Sequence, residues 1–208
     1  MIRRPPRSTL SSSSAASDVY KRQNQYKQNG LGDAVLLAKE IVGDDSFAVL
    51  LPDDLFISDI SCLSQLIDTY KNSNSSVIAV NKIDKENIHK YGVITPGIKE
   101  HDAILIEDII EKPKADEAPS DIAVCGRYIF TSLIFDHLEA TNFDKSGEIQ
   151  LTDAIQKLLQ EEEVYASIYD GEKFDCGSKK GFVHATIALA LRDNSISKDI
   201  SKIIKEII

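Results

Sequence analysis

The chain contains no tryptophan, a single methionine and only three cysteines, Cys62, Cys125 and Cys176, in 208 residues. An odd cysteine count without paired spacing makes a disulfide framework a poor reading and a reducing cytosol the expected compartment. Four histidines, His89, His101, His137 and His184, show no close metal-ligand pairing, which argues against a structural zinc site. No apolar run approaches the ~20 residues needed to cross a bilayer, so no membrane partner is expected. Positive charge is also scarce. Lys and Arg number 24 against 33 Asp and Glu, for a net charge of -9. Such a surface repels phosphate backbones, so nucleic acid is not expected as a partner. What remains is ordinary soluble-protein composition at the upper edge of the ~100–200 residues of one domain.

The first 23 residues differ from the rest. MIRRPPRSTLSSSSAASDVYKRQ holds five basic residues and one acid, leaving 19 basic and 32 acidic residues in 24–208. Pro5 and Pro6 forbid a helix there and Ser11–Ser14 is low in complexity. The stretch imitates a transit peptide but lacks its apolar stripe, and it resembles translated sequencing-adaptor sequence. Residues 1–23 are therefore expected to be foreign and disordered. Residues 24–208 would form a partial domain, cut from its natural polypeptide somewhere before Asn24.

From Asn24 onward, periodicity alternates between helix and strand. Helices are expected at Asp33–Ile41, stopped by Gly43, at Ser61–Asn72, Ser132–Ala140, Glu148–Glu161, Lys179–Leu191 and Ile196–Ile208. Strands are expected at Ser46–Leu51, Ser76–Val80, Gly92–Thr95, Ala103–Ile110, Ile122–Thr131 and Val164–Tyr169. The fully apolar SFAVLL run reads as a buried parallel strand, and with the following helix and SVIAV as a βαβ unit. The fold class is α/β with a mixed sheet.

Four segments could carry chemistry. Leu51-Pro52-Asp53-Asp54 closes an apolar strand, where ligands of open α/β sheets bind. Its carboxylates suit Mg²⁺, which shares oxygen ligands with substrate phosphates; equally, Asp54 could cap a turn and Asp53 be solvated. Gly30-Leu31-Gly32-Asp33 precedes a helix and would let a base or phosphate approach the backbone, or make a plain turn. Glu111-Lys112-Pro113 offers a point charge for a phosphate and an acceptor for sugar hydroxyls, or an exposed ion pair. Phe174-Asp175-Cys176-Gly177 supplies a second strand-end carboxylate able to join Asp53 around one metal. Nothing nearby in sequence would lower the pKa of Cys176, so buried packing suits it better than nucleophilic work. Gly92 could present its amide to a sugar, or form a turn. Glu148 and Asp153 could simply favour a helix N-terminus.

In order, GLGDAV, FAVLLPDD, KYGVI, EKPK, AVCGRYIF, GEIQLTDAI and FDCGSKKGF resemble the bacterial UTP–glucose-1-phosphate uridylyltransferases, from about Gly30 to the C-terminus. The resemblance implies a Rossmann-like, mixed and mostly parallel sheet flanked by helices. It also implies transfer of a uridylyl group from UTP to glucose 1-phosphate, giving UDP-glucose and pyrophosphate, with Mg²⁺ on Asp53 and Asp175. Lys112 would hold the sugar phosphate, and Glu111 and the Gly92 backbone would contact glucose hydroxyls. Gly30, Leu31 and Gly32 would lie against uracil, and Glu148 would be a sugar-side or structural residue. A homo-oligomer is implied too, in keeping with the isoleucine face of residues 196–208, although that face could pack on its own domain. The chain departs from the family in having no glycine-rich loop with Arg and Lys ahead of Gly30, and in placing Asp33 where many relatives have His. It is therefore expected to be poorly stable and close to inactive. The competing readings are a dTTP-using sugar-1-phosphate nucleotidylyltransferase and a non-catalytic module of the same fold.

Overall fold

The computed structural model describes residues 24–100 and 102–207; the expectations for residues 1–23 lie outside them. The Asp33–Ile41 pattern forms two short helices, α1 (Leu31–Leu36) and α2 (Lys39–Val42). The ladder slips between them because the Ala38 N–H donates to the Val35 carbonyl three residues back. Gly43, at φ 62°, ends α2 as its glycine suggested. Strand β1 (Phe47–Leu50) and the unanticipated β2 (Asp54–Ile57) follow. Helix α3 (Cys62–Ser73) begins where the Ser61 hydroxyl accepts the Ser64 N–H. Then come β3 (Val77–Lys82), a 3₁₀ turn at Lys85–Lys90, β4 (Gly92–Glu100), β5 (Ala103–Glu111) and β6 (Ile122–Phe130). The chain closes with α4 (Leu133–Glu139), α5 (Leu151–Leu158), β7 (Tyr165–Ile168), the also unanticipated β8 (Glu172–Asp175), α6 (Lys179–Arg192) and α7 (Ser197–Ile207).

The main sheet runs β1-β6-β3-β7-β5-β4, and β2 pairs with β8 in a separate ribbon. The sheet is mixed, as expected. Strands β1, β3, β7 and β4 run one way, while β6 and β5 run against them. Most neighbours are consequently antiparallel, and β3 with β7 is the one parallel contact among the described residues. Two expectations for β1 need correction. It points the same way as β3, but β6 lies between them, so no adjacent βαβ pair forms. Among the described residues it is also an edge strand, of alternating half-buried and exposed residues, not a buried one. An apolar run alone does not tell a central strand from an edge strand.

Successive β3 side chains point to opposite faces. Ile78 and Val80 join a core under α1, α4 and α5, while Val77 and Ala79 join a second core under α3. Helices thus cover both faces. No helix among the described residues is long and apolar enough to cross a membrane. Leu66 of α3, 0% exposed, anchors the smaller core. Leu66→Ala should cost about 2–5 kcal/mol, seen as a lower urea midpoint at unchanged slope.

Candidate functional site

The β2–β8 ribbon builds the centre of the site. Its antiparallel register sets Asp54 opposite Asp175, and the Cys176 N–H donates to the Asp53 carbonyl at 2.7 Å. The carboxylates of Asp53 and Asp175 therefore converge. Their oxygens lie 2.9 and 3.1 Å from one point, the place where a side chain on Gly177 would begin. The Gly177 N–H donates to Asp175 Oδ1 at 3.0 Å, which orients that carboxylate. Two carboxylates at one point suit a hard divalent cation that takes its other ligands from phosphates and water. Among the described residues, no cluster of three or more His, Cys, Asp or Glu is gathered for a metal.

Asp54 does different work. Its Oδ1 lies 2.8 Å from Lys173 Nζ, with the two side chains 12% and 13% exposed. Burial pushes the Asp54 carboxyl above its ordinary pKa, and the adjacent ammonium only partly opposes it. Gly126, at φ 69°, leaves room for this carboxylate where any side chain would collide with it. Arg127 fastens the same turn, donating from Nη1 to the Leu51 carbonyl at 2.7 Å and from Nη2 to the Asp54 carbonyl at 2.6 Å. The turn-cap expectation for Asp54 thus gives way to a buried ion pair. Cys176 is half-buried rather than buried. Burial pushes the Cys62 thiol to about 11 and the Cys125 thiol to about 12, which keeps both unreactive.

A cleft of about 340 Å³ runs from these aspartates past Gly92, Glu111 and Lys112 to Leu31 and Glu148. Lys112 sits at φ 46°, a left-handed backbone rare for a side-chain-bearing residue, and its N–H donates to the Tyr91 carbonyl at 3.1 Å. Strain of this kind gathers at ligand sites. Its ammonium is 3.2 Å from Glu111 Oε1 and 55% exposed, so the simple ion pair is present and faces the cleft.

Glu148 is held in a loop, not in a helix. Asp144 Oδ1 accepts from the Ser146 hydroxyl (2.6 Å), the Ser146 N–H (2.7 Å) and the Glu148 N–H (3.0 Å), and Oδ2 accepts from Gln150 Nε2 (2.8 Å). These bonds, that from the Ser146 hydroxyl foremost, hold the Asp144 carboxyl far below the usual carboxylate range. They also delay the helix expected from Glu148 until Leu151. The loop is tied to the glycine segment: the Ile149 N–H donates to the Asn29 carbonyl (2.7 Å) and the Gly32 N–H to the Ile149 carbonyl (2.8 Å). Side chains on Gly30 and Gly32 would begin 2.8 Å from Glu148 Cβ and 2.7 Å from Ile149 Cγ2. Those glycines make room for residues 148–149, and it is Leu31 that lines the cleft. Asp33 accepts from Gln25 Nε2 at 2.7 Å.

The structure gathers Asp53, Asp175, Gly92, Glu111, Lys112, Leu31 and Glu148 around one cleft and sets Gly30 and Gly32 behind its wall. Sequence reasoning missed Lys173, Arg127, Tyr128 and Thr152. The last three stand inside motifs already singled out, AVCGRYIF and GEIQLTD, and were legible there as polar groups among apolar neighbours.

Converging carboxylates at strand ends, with a lysine of left-handed backbone in the same cleft, are groups suited to meeting phosphate esters. The nucleotidyl transferase family model matches residues 9–191, and the chain belongs to that family. It is 42% identical over 196 residues to the UTP–glucose-1-phosphate uridylyltransferase of Staphylococcus epidermidis, covering 94% of this chain and 67% of the relative. A Staphylococcus saprophyticus uridylyltransferase is 41% identical over the same shares. Among solved structures, a UDP-glucose pyrophosphorylase complexed with UDP-glucose superposes with a TM-score of 0.76 at 38% identity, over 79% of this chain and 63% of that one. The UTP-bound enzyme from Acinetobacter baumannii gives 0.77 at 36%, over 88% and 64%. The chain thus spans about two thirds of the length of its curated relatives and slightly less of the solved ones.

The buried ion pair carries its own test. Asp54→Ala strands a buried ammonium and should cost about 3–5 kcal/mol, whereas Asp54→Ala combined with Lys173→Met should recover most of that loss in urea melts.

Proposed function

We propose that the cleft binds glucose 1-phosphate at its Glu111–Lys112 end and UTP across Asp53 and Asp175, for uridylyl transfer. The observation that carries this reading is the convergence of Asp53 and Asp175 at one point in the same cleft as Lys112. A phosphate oxygen of glucose 1-phosphate attacks the α-phosphorus of UTP in line. The bond to the leaving pyrophosphate breaks as the new oxygen–phosphorus bond forms, and no covalent enzyme intermediate is needed. Mg²⁺ held by Asp53 and Asp175 would supply charge neutralisation on the phosphates. Lys112 holds the sugar phosphate as a point charge, and its left-handed backbone fixes where the ammonium starts. Glu111 and the Gly92 backbone meet sugar hydroxyls, Leu31 flanks the base, and Glu148 borders the cleft on the loop braced by Asp144.

Uridylyl rather than thymidylyl transfer is favoured by likeness. The chain is 42% identical to a uridylyltransferase but 26% identical to a putative glucose-1-phosphate thymidylyltransferase from Bacillus anthracis, at TM-score 0.66. A non-catalytic module would have no use for two converging carboxylates beside a strained lysine.

A second copy of the chain is the proposed partner of α6 and α7. Helix α7 buries no residue, and Phe182, Val183, Ile203 and Ile207 are exposed along the pair. Sedimentation should show an oligomer that Phe182→Glu with Ile203→Glu converts to monomer; a wild-type monomer would refute this.

Calorimetric titration tests the site itself. UDP-glucose should bind in a Mg²⁺-dependent manner and more tightly than dTDP-glucose. Asp53→Asn and Asp175→Asn should abolish the Mg²⁺ dependence, and Lys112→Ala should weaken binding about 10–100-fold. Binding indifferent to both Mg²⁺ and Lys112 would sink the proposal.

A further inference from the structure

We infer that Lys173 is a positioning residue: its ammonium bridges the Asp54 carboxylate and the Tyr91 ring, and so sets the spacing between the two ends of the cleft. This rests on the reading of the cleft given above. Lys173 is the second residue of β8, so it shares a face of the ribbon with Asp175, two residues further on. Its Nζ lies 2.8 Å from Asp54 Oδ1 and 4.9 Å from the centre of the Tyr91 ring. Tyr91 immediately precedes β4, and its carbonyl accepts the Lys112 N–H at 3.1 Å. Gly92, the next residue, is paired with Glu111. A continuous line of contacts thus runs from the aspartate ribbon, through Lys173, to the turn that presents Lys112.

Packing alone would not fix this spacing. Among the described residues the β2–β8 ribbon shares no ladder with the main sheet, and Arg127 ties it to β6 rather than to β4. Beside Lys173 and Tyr91 lies a cavity of about 210 Å³, lined also by Asp175, Val124 and Cys125. That space is not filled by side chains, so close packing does not hold the two ends apart. A cation set between a carboxylate and a π face does hold them. With Lys173 13% and Asp54 12% exposed, these attractions act largely out of water, where they are stronger. Because the ammonium is committed to Asp54 and Tyr91, Lys173 neutralises no phosphate itself. Its effect falls on ligands that reach both ends at once. A ligand held at one end is indifferent to the spacing, whereas for a spanning ligand the second contact depends on it.

Calorimetric titration of the whole chain separates the two kinds of ligand. The spanning probe is UDP-glucose with Mg²⁺, and the one-ended probe is glucose 1-phosphate without metal ion. Tyr91→Leu, which removes the π face, should weaken the first about 3–30-fold and leave the second nearly unchanged. Tyr91→Phe, which keeps the face, should bind both probes as the wild type does. Lys173→Met combined with Asp54→Asn removes the ammonium without stranding a charge, and should reproduce the Tyr91→Leu pattern. A merely structural role would weaken both probes alike. Equal losses for the two probes, or no loss for UDP-glucose in either variant, overturn the inference and leave the cleft reading intact. A wild type that binds neither probe overturns both together.

Discussion

The site depends on one short piece of antiparallel pairing, β2 against β8. Neither strand belongs to the main sheet, and each has four residues. Their register nonetheless sets the turn before β2 against the turn after β8, so that the Asp53 and Asp175 carboxylates reach the same point. Two like charges brought to one point repel. The pairing is kept from splaying by groups that act on its backbone: the Cys176 N–H on the Asp53 carbonyl and Arg127 on the carbonyls of Leu51 and Asp54. Beneath them lies the buried Asp54–Lys173 pair. Such a pair adds little net stability over apolar packing, but it couples the first residue of β2 to the second residue of β8 and so resists slippage of the register.

The sugar-phosphate end is organised differently. There the framework is the main sheet, with β4 and β5 placing Gly92 opposite Glu111, and α5 delivering Thr152 from the far side. The cleft is therefore bounded by three separately anchored structures: the aspartate ribbon, the β4–β5 strand ends, and the 144–150 loop laced to residues 29–32. Asp144 serves the last of these much as a helix cap would, using both carboxylate oxygens to tie down four donor groups.

Helix α3 shows how far local sequence carries. Ser61 as a cap, an apolar stripe and a left-handed Asn74 at its end are all visible as residue types, and the helix lies within a residue of its expected bounds. The candidate residues at strand ends were legible for a similar reason, because a carboxylate or a Glu-Lys-Pro following an apolar run has few places to go. Strands β2 and β8 were not legible. DLFI and EKFD have no clear alternation or length, and they exist because each finds the other. The late start of α5 was hidden as well, since Glu148 and Gln150 are good helix formers diverted by the Asp144 side chain.

By itself, the amino-acid order determined the α/β class, most element positions and which side chains carry charge at strand ends, because these follow from short-range periodicity and chain chemistry. Only the tertiary structure decided that β6 separates β1 from β3, that Asp54 is a buried ion-pair partner while Asp53 faces the cleft, and that Thr152 reaches Glu111. Those outcomes depend on contacts between residues far apart along the chain, and burial, register and donor–acceptor pairing are properties of such contacts rather than of any local run of residues.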